Sequence, residues 1–236
     1  MAVRVHRSRA DGKTILGIDL DNTLICYDGL FHKLAVEQRL IDPMTPANKR
    51  VIRDTLRAKG LETQWTRLQG EAYGARILEA TVFPGAIGAL IALHRAGIGL
   101  RVVSHKTRYP ALGPQTDLRR AALRWLIRKG ILNPSQTGLG PSEVFFEDSP
   151  TAKRQRIAAL GCTDFVDDLP ELLLHPSFPR SVTRTLFDPS GELVRSPSPT
   201  GSEPHRTATH WNQIREHFLL INKAREAAGS RYSPLA

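Results

Sequence analysis

The sequence predicts an α/β fold, in which helices cover a parallel sheet and an all-helical segment is inserted in the first half of the chain. Short apolar runs that end in polar residues recur along the sequence, and such runs are typical of buried parallel strands. Amphipathic stretches of helical length separate most of these runs, which favours right-handed crossover connections. One long stretch after the first run shows helical periodicity and no strand signal, so it is predicted to be the insertion.

The predicted strands form a Rossmann-like, three-layer core. The first run, Thr14 to Asp19, leads directly into a second acid, Asp21. Because parallel strands need a crossover between them, the helices that separate the runs are expected to cover the sheet. The five predicted strands span residues 14–19, 98–104, 144–146, 163–167 and 182–187.

Helices are predicted where apolar residues recur at helical spacing. In the insertion, Trp65, Leu68 and Ala72 show this spacing, and prolines or glycines divide the stretch into several helices. Elsewhere, most predicted helices end at a glycine, which readily adopts the left-handed backbone conformation of a helix terminus. These helices span residues 86–96, 116–129, 152–160 and 211–228.

The chain is expected to divide into a tail, a core in two segments, the insertion between them, a linker and a C-terminal helix. The linker is rich in proline, serine, glycine and threonine. Trp211, Ile214, Phe218 and Ile221 share one face of the last helix, which predicts that this helix packs on the core. The bounds are 1–13 for the loose basic tail, 14–24 and 84–187 for the core, 25–83 for the insertion, 188–209 for the linker and 210–236 for the last helix.

Composition and charge narrow the function classes. Hydrophobic residues make up 41% of the 236 residues, which excludes disorder throughout the chain. Lysine and arginine number 33 against 23 acids, and the resulting net charge of +10 favours an anionic partner. The basic residues are spread along the chain rather than gathered in a block, so a small phosphorylated substrate is the favoured partner and nucleic acid is the alternative.

Cysteine content and hydropathy bear on location. The two cysteines, Cys26 and Cys162, make neither a disulfide framework nor a zinc site, which fits a reducing compartment. The most apolar stretch, Val82 to Leu93, contains Pro84 and is too short to span a bilayer. We expect a soluble, cytoplasmic protein with no membrane partner.

Polar side chains follow three predicted strands, at the edge of a parallel sheet where ligands bind. Asp19 and Asp21 follow the first strand, two residues apart. A divalent cation would relieve their repulsion and desolvation, and oxygen-only ligands favour Mg²⁺. One carboxylate can attack phosphorus while the other handles the proton of the leaving group. The alternative is an acidic turn or helix cap.

The other two strand ends carry a hydroxyl and a second acid pair. Ser104 can donate to a phosphoryl oxygen, or it caps a turn. Asp167 and Asp168 follow the fourth strand, either as metal ligands or as an acidic helix start. Lys153 lies at the start of a predicted helix, 14 residues before Asp167, where it would neutralise nearby acids unless it is solvated. Two neighbouring arginines compete for that role.

The series of acid pair, serine, lysine and acid pair resembles the haloacid dehalogenase superfamily of phosphatases over about residues 14–175. The family's first motif, Asp-x-Asp-x-Thr after an apolar strand, stands here as Asp19-Leu20-Asp21-Asn22-Thr23. Its second motif, a serine or threonine at a strand end, stands as Val102-Val103-Ser104, and its lysine best matches Lys153. Its fourth motif, an Asp pair after a strand, stands as Val166-Asp167-Asp168.

The resemblance implies a role for each of these residues. Asp19 would be the nucleophile that forms an aspartyl-phosphate, and Asp21 the general acid and then base. A Mg²⁺ ion would bind Asp19, the backbone carbonyl of Asp21 and the last acid pair, with Asp168 favoured over Asp167 as the direct ligand. The full set implied is Asp19, Asp21, Ser104 and Lys153 for catalysis, Asn22, Thr23, Ser104, His105 and Lys153 for phosphate, and Asp19, Asp21, Asp167 and Asp168 for the metal.

Two further features lie outside these motifs. Glu147 and Asp148 also follow an apolar run, but no lysine precedes them at the required spacing, so they are interpreted as a lip beside the site. The insertion matches the position of the family's helical cap, which excludes water and supplies specificity. Cap residues that could face the substrate, or equally be core or surface residues, are Trp65, Arg67, Tyr73 and Arg76.

Together the motifs favour a Mg²⁺-dependent phosphomonoester hydrolase that acts on a small phosphorylated metabolite. The acid at Asp21 favours phosphoryl transfer, because the dehalogenases of the superfamily lack an acid there. Two alternatives stay open, namely a phosphotransferase on the same core and a basic nucleic-acid-binding or scaffold protein that retains the fold. The sequence determines neither the substrate nor the oligomeric state.

Overall fold

The computed structural model describes residues 13–192 and 206–229, without the side chains of 225–229. Nearly all of the predicted basic tail lies outside the described residues. The same holds for the middle of the predicted linker and for the end of the predicted C-terminal helix.

A central parallel sheet with helices on both faces confirms the predicted α/β class. In the described residues the sheet has six strands in the order β5-β4-β1-β6-β7-β8, and every neighbouring pair is parallel. All five predicted strands are present. Numbered along the chain, the strands of the sheet are β1 (Ile15–Ile18), β4 (Gly99–His105), β5 (Val144–Glu147), β6 (Asp164–Asp167), β7 (Thr183–Phe187) and β8 (Arg206–Ala208), and β2 (Ile25–Cys26) and β3 (Thr81–Val82) form a separate antiparallel pair.

The structure corrects the predicted linker at its end, because Arg206–Ala208 forms β8 rather than a loop. This strand pairs with β7, and the amide of Asp188 also donates to the carbonyl of Ala208 at 2.8 Å. Three residues after a stretch rich in proline and serine are too few to show a period of two. The exposed edge of β7 supplies the hydrogen-bond partners that make this segment a strand.

The register of the sheet brings three strand ends to one edge. Ile18 in β1 pairs with Val102 in β4 and with Val166 in β6. The amide of Asp19 donates to the carbonyl of Val166 at 2.9 Å, which continues the pairing by one residue. Asp19 and Asp167 therefore leave the sheet side by side.

Helices fill the stretch between β2 and β3. They are α1 (Asp28–Glu37), α2 (Lys49–Ala58) and α3 (Glu62–Tyr73), which contact one another, and a 3-10 turn (Ile77–Glu79) follows them. The side chain of Asn48 caps α2, because its oxygen accepts from the amides of Arg50 and Val51 at 2.9 and 3.1 Å. The cap fixes where α2 begins, and so places Lys49 in its first turn.

The helices predicted outside the insertion are found within two residues of their expected bounds. Two further helices, Pro134–Thr137 and Pro170–Leu173, were not predicted, because four residues are too few to show helical periodicity. The helices are α4 (Ala86–Arg95), α5 (Leu118–Arg128), α6 (Pro134–Thr137), α7 (Pro150–Ala159), α8 (Pro170–Leu173) and α9 (Trp211–Gly229), with a further 3-10 turn at Pro141–Glu143.

Two apolar cores, one on each face of the sheet, produce the three layers. On one face, α4, α5, α9 and the inserted helices pack around Leu16, Ile18 and Val102. On the other face, α7 and α8 pack around Val103 and Phe165. Because successive side chains of a strand point to opposite faces, Val102 and Val103 enter different cores.

The last helix, α9, packs on α4 through its apolar face. Trp211, Ile214 and Phe218 are buried there, and Ile221 is half-buried. The indole nitrogen Nε1 of Trp211 donates to the carbonyl oxygen of Thr23 at 2.9 Å, so α9 also contacts the loop that follows β1. Among the described residues, no helix is both long enough and apolar enough to cross a membrane.

Candidate active site

Asp19 lies directly after β1 and is 4% exposed. Its Oδ1 accepts from Lys153 Nζ at 2.5 Å, and the hydroxyl of Thr23 lies 3.5 Å from Oδ2. Asn22, at φ 58°, occupies the left-handed backbone region that this tight turn requires, and asparagine tolerates it better than most residues. Burial raises the pKa of Asp19 well above its usual range, against the opposing effect of Lys153.

Lys153 lies in the first turn of α7 and is 2% exposed. Ser149 caps this helix by accepting from the amide of Ala152 at 3.1 Å, which fixes the orientation of the first turn. Nζ of Lys153 bonds to Asp19 and, at 2.7 Å, to Asp167. Burial alone would lower the pKa of Lys153, but the two carboxylates outweigh it and raise this pKa.

Arg154 and Arg156, the two arginines that were alternatives to Lys153, face away from the cluster of Asp19, Asp167 and Asp168. Arg154 donates to the hydroxyls of Ser177 and Thr151, and Arg156 donates to Glu147. The structure therefore brings Lys153, and neither Arg154 nor Arg156, into the acid cluster.

Asp167 and Asp168 have different surroundings although they are neighbours in sequence. Both oxygens of the fully buried Asp167 are engaged, Oδ2 by Lys153 and Oδ1 by the amide of Leu169 at 2.9 Å. Asp168 lines a cavity above the sheet edge. Burial and the neighbouring charge of Asp167 raise the pKa of Asp168 to about 7. Of the pair, Asp168 is the acid with a carboxylate that faces open space.

Asp21 is held from both sides by residues that the sequence did not single out as a pair. Lys106 Nζ lies 2.7 Å from Oδ2, and the hydroxyl of Tyr27 donates to Oδ1 at 2.7 Å. Burial would raise the pKa of Asp21, but the charge and hydrogen bond of Lys106 outweigh it, and this pKa is lowered. Lys106 follows the predicted strand that ends in Ser104, but no sequence pattern links either Lys106 or Tyr27 to Asp21.

Ser104 is the second-last residue of β4 and is 1% exposed. Within the described residues its hydroxyl has no hydrogen-bond partner, although the atom is buried. Buried hydroxyls are nearly always bonded, so this one fits a donor kept for a ligand. His105 lines the cavity, and burial lowers the pKa of its ring.

A cavity of about 360 Å³ lies over this edge of the sheet, between the core and the inserted helices. Lys49 and Tyr73 close it from the helical side. Tyr73 was one of the cap candidates, whereas Lys49 was not singled out from the sequence. A second cavity, of about 610 Å³, adjoins the first, and the two share Asn22, Lys49, Asp168 and Leu169. The acids therefore face a space large enough for a small molecule.

Other predicted residues lie elsewhere. Thr23 is fully buried beneath Asp19, so its hydroxyl contacts the acid rather than the cavity. Of the cap candidates, Tyr73 lines the cavity, whereas Trp65 is buried against Phe31. Arg67 is exposed, and Arg76 pairs with Glu37, Glu71 and Glu79.

The predicted lip at Glu147 and Asp148 consists of ion-paired residues. Glu147 binds Arg156 at 2.6 Å, and Asp148, whose side chain is 78% exposed, binds Arg119. Both acids are thus engaged in ion pairs outside the acid cluster, and of the two only Asp148 lies at the surface.

The donor set fits a hard divalent cation. Asp19, Asp167 and Asp168 each offer a carboxylate oxygen, and the three oxygens lie within 4.8 Å of one another. Oxygen ligands of this kind suit Mg²⁺. Asp19 and Asp168 line the cavity, whereas Asp167 is fully buried beside it, so Asp19 and Asp168 are the acids best placed to bind an ion directly.

The chain has a fold similar to that of solved haloacid dehalogenase-like hydrolases. A structure of such a hydrolase from Deinococcus radiodurans R1, with bound phosphate and sodium, aligns with 90% of this chain and 97% of its own at a TM-score of 0.54 and 16% identity. Another, from Burkholderia xenovorans LB400, aligns with 88% and 98% at 0.53 and 15%. A dehalogenase with an intermediate complex aligns with 89% and 98% at 0.54 and 14%. No protein-family model and no curated protein matches the sequence.

Proposed function

We propose that this protein is a Mg²⁺-dependent phosphomonoester hydrolase in which Asp19 is the nucleophile. The observation that carries the proposal is the Asp19 carboxylate, which faces the cavity, is held by Lys153, and has a second acid, Asp21, two residues further on. The phosphate bound to the similar structure from Deinococcus radiodurans supports a phosphoryl ligand for this fold.

In the first step, an oxygen of Asp19 would bond to phosphorus while the bond from phosphorus to the leaving-group oxygen breaks. Ser104 and Lys153 would hold the phosphoryl oxygens and stabilise their charge. Asp21 would give the departing oxygen its proton. A phosphoryl dianion beside Asp21 raises the pKa of that carboxyl, and this favours the protonated form that the first step needs.

In the second step, water would attack the aspartyl-phosphate and Asp21 would take up its proton. The bond between phosphorus and Asp19 then breaks and phosphate leaves. Lys106 and Tyr27, which hold Asp21 from both sides, would keep it aimed at the same place in both steps. Mg²⁺, held by Asp19 and Asp168 and by the backbone carbonyl of Asp21, would neutralise charge on the phosphoryl oxygens.

Asp21 also supports phosphoryl transfer over dehalogenation on this fold. A dehalogenation that releases halide needs no proton for its leaving group, whereas an alkoxide leaving group does. We further propose a small phosphorylated substrate, because the two cavities lie between core and helices rather than along an open basic surface. A cytoplasmic location is proposed from the two free cysteines.

The test measures phosphate release from a broad panel of phosphomonoesters. Wild type and Asp19→Asn are compared, each with Mg²⁺ and with EDTA. We expect release that requires both Asp19 and Mg²⁺, with Asp19→Asn lowering turnover by at least about a thousandfold. A thermal melt checks that the variant is folded, since Asn retains the size of the side chain.

Other outcomes would replace the proposal. Full activity of a clean Asp19→Asn preparation would remove Asp19 as the nucleophile. Chloride release from 2-chloropropionate without phosphate release would assign halide chemistry. Transfer of phosphate to an added alcohol in preference to water would make the protein a phosphotransferase, and salt-sensitive nucleic-acid binding without turnover would make it a binding protein.

A further inference from the structure

Three lysines line the cavity over the acid cluster, and two of them are committed to carboxylates. Lys153 bonds to Asp19, and Lys106 bonds to Asp21. Lys49 is the third, and within the described part of the chain its ammonium group has no carboxylate within 4.0 Å. A cation that faces a cavity without a carboxylate partner is available to an anionic ligand.

The position of Lys49 is fixed by its surroundings. Its backbone amide donates to Asp28 Oδ1 at 2.8 Å, in the first turn of α2, where the helix dipole also favours an anion. Its Nζ lies 5.7 Å from the centre of the Phe31 ring and 5.5 Å from that of Tyr73. Aromatic rings at these distances stabilise a lysine charge and restrict its movement.

Charge balance shows why this third cation matters. The site contains four carboxylates, and Lys106 and Lys153 neutralise two of them. A divalent cation would offset the other two, which leaves no excess positive charge to attract an anionic substrate. Lys49 supplies that excess, and it does so from the inserted helix α2.

Lys49 also marks the junction of the two cavities. It lines both of them, and the larger cavity continues past Lys49 to Arg50. Two acids that line the larger cavity already have partners there. Glu192 lies 3.6 Å from Arg50, and Asp28 accepts a hydrogen bond from the amide of Lys49. If the phosphoryl group of a substrate lies at Asp19, its leaving group would therefore lie beside Lys49, where the two cavities meet.

We propose that Lys49 binds a second anionic group, a carboxylate or phosphate on the leaving group, so that the substrate is a phosphomonoester with a second negative charge close to its phosphoryl group. This proposal rests on the proposed function, because it places the phosphoryl group at Asp19. The phosphoryl group itself has Lys153, which reaches the cavity from α7 of the core and bonds to Asp19, whereas Lys49 belongs to the inserted helix α2.

Two phosphonates of nearly equal size separate the two anionic groups. Phosphonoacetate carries a carboxylate where ethylphosphonate carries a methyl group, and neither is hydrolysed as an ester. Binding of each in Mg²⁺ buffer is measured by titration calorimetry with wild type, Lys49→Met and Lys49→Arg. Lys59→Met is the matched control, because Lys59 lies at the other end of α2, is exposed, and contacts the carbonyl of Leu40.

Wild type, Lys49→Arg and Lys59→Met are expected to bind phosphonoacetate about tenfold or more tightly than ethylphosphonate. Lys49→Met should lose this preference while its affinity for ethylphosphonate is unchanged. Equal weakening of both ligands in Lys49→Met would assign Lys49 to the phosphoryl group and overturn the proposal. An unchanged preference would overturn it as well. Failure of wild type to bind either phosphonate would instead overturn the phosphoryl site on which the proposal rests.

Discussion

At the scale of single residues, the two acids that follow β1, Asp19 and Asp21, each bond to a different lysine. Lys153 bonds to Asp19 and Lys106 bonds to Asp21, and the two carboxylates differ in burial and partners. The pKa of Asp19 is raised by burial, whereas that of Asp21 is lowered because Lys106 outweighs burial. Two neighbouring acids with pKa values that are moved apart can take different roles in one reaction.

The bonds to Asp21 lead to a prediction about leaving groups. If Tyr27 and Lys106 aim Asp21 at the departing oxygen, Tyr27→Phe should lower kcat/KM on alkyl phosphates by about tenfold and Lys106→Met by about a hundredfold. The same changes should affect kcat/KM on p-nitrophenyl phosphate much less, because its leaving group departs without a proton and the second step, in which Asp21 accepts a proton from water, does not enter kcat/KM. Steady-state kinetics on both substrates measure this ratio.

The control for these variants is Tyr109→Phe, which changes a tyrosine that is 45% exposed. It should leave the ratio of the two activities as in wild type. An equal fall of activity on alkyl and aryl phosphates in Tyr27→Phe and Lys106→Met would show that the two residues serve the structure of the site rather than proton transfer.

At the scale of elements, the inserted helices are fixed to the core by a close backbone contact. A Cβ atom at Gly70, in α3, would lie 2.6 Å from the carbonyl oxygen of Leu112 and 2.9 Å from Cβ of Pro110. Both belong to the loop between β4 and α5. Glycine is therefore required where α3 meets this loop, and the contact holds the Tyr73 end of the helix over the cavity.

We predict that Gly70→Ala destabilises the protein by about 1–3 kcal/mol, because a backbone atom rather than a flexible side chain must move. Urea denaturation measures the free energy of unfolding. Gly88→Ala in α4 is the matched control, since nothing lies within 4 Å of its added Cβ. It should be neutral or more stable by about 0.5–1 kcal/mol. If both variants were equally stable, the contact between α3 and the loop would not exist in solution.

At the scale of the whole molecule, the last helix is joined to the first motif. The bond from Trp211 to the carbonyl of Thr23 joins residues 188 positions apart in the sequence, and the Thr23 hydroxyl lies against Asp19. Helix α9 therefore supports the loop that follows β1 as well as covering α4. The family resemblance offered no role for this helix, and its contacts supply one.

Trp211→Phe is predicted to leave the Thr23 carbonyl buried without its partner, at a cost of about 1–3 kcal/mol. Turnover, measured well below the melting temperature, should also fall, because the loop that carries Asp19 loses a support. Trp125→Phe is the matched control. Its Nε1 donates at 3.0 Å to the carbonyl of Ala80, outside this loop, and the residue is equally buried.

Trp125→Phe should lower the melting temperature by a similar amount while turnover stays as in wild type. If Trp211→Phe lost stability but kept full turnover, α9 would stabilise the fold without supporting the site. Unfolding by heat and activity at low temperature are therefore measured on the same preparations.

Much of the fold was predictable, because short segments of the sequence have patterns typical of strands or helices. The five strands appear in the sequence as short apolar runs and the longer helices as helical periodicity, and the structure retains both within about two residues. The order of strands across the sheet has no such local signal. Nor does β8, which exists because the edge of β7 offers hydrogen bonds.

The sequence by itself determined the fold class and the residues of the acid cluster. Both depend on short segments, namely apolar runs, helical periodicities and the acid pairs that follow two of the runs. Only the tertiary structure decided which groups act on those residues. The orientation of the first turn of α7 brings Lys153, and neither neighbouring arginine, to Asp19. Asp21 bonds to Tyr27 and Lys106, which lie far apart in the sequence. Lys49 reached the cavity from the insertion by the packing of helices. The physical reason is that charge and hydrogen bonding act through space, whereas the sequence records order along the chain.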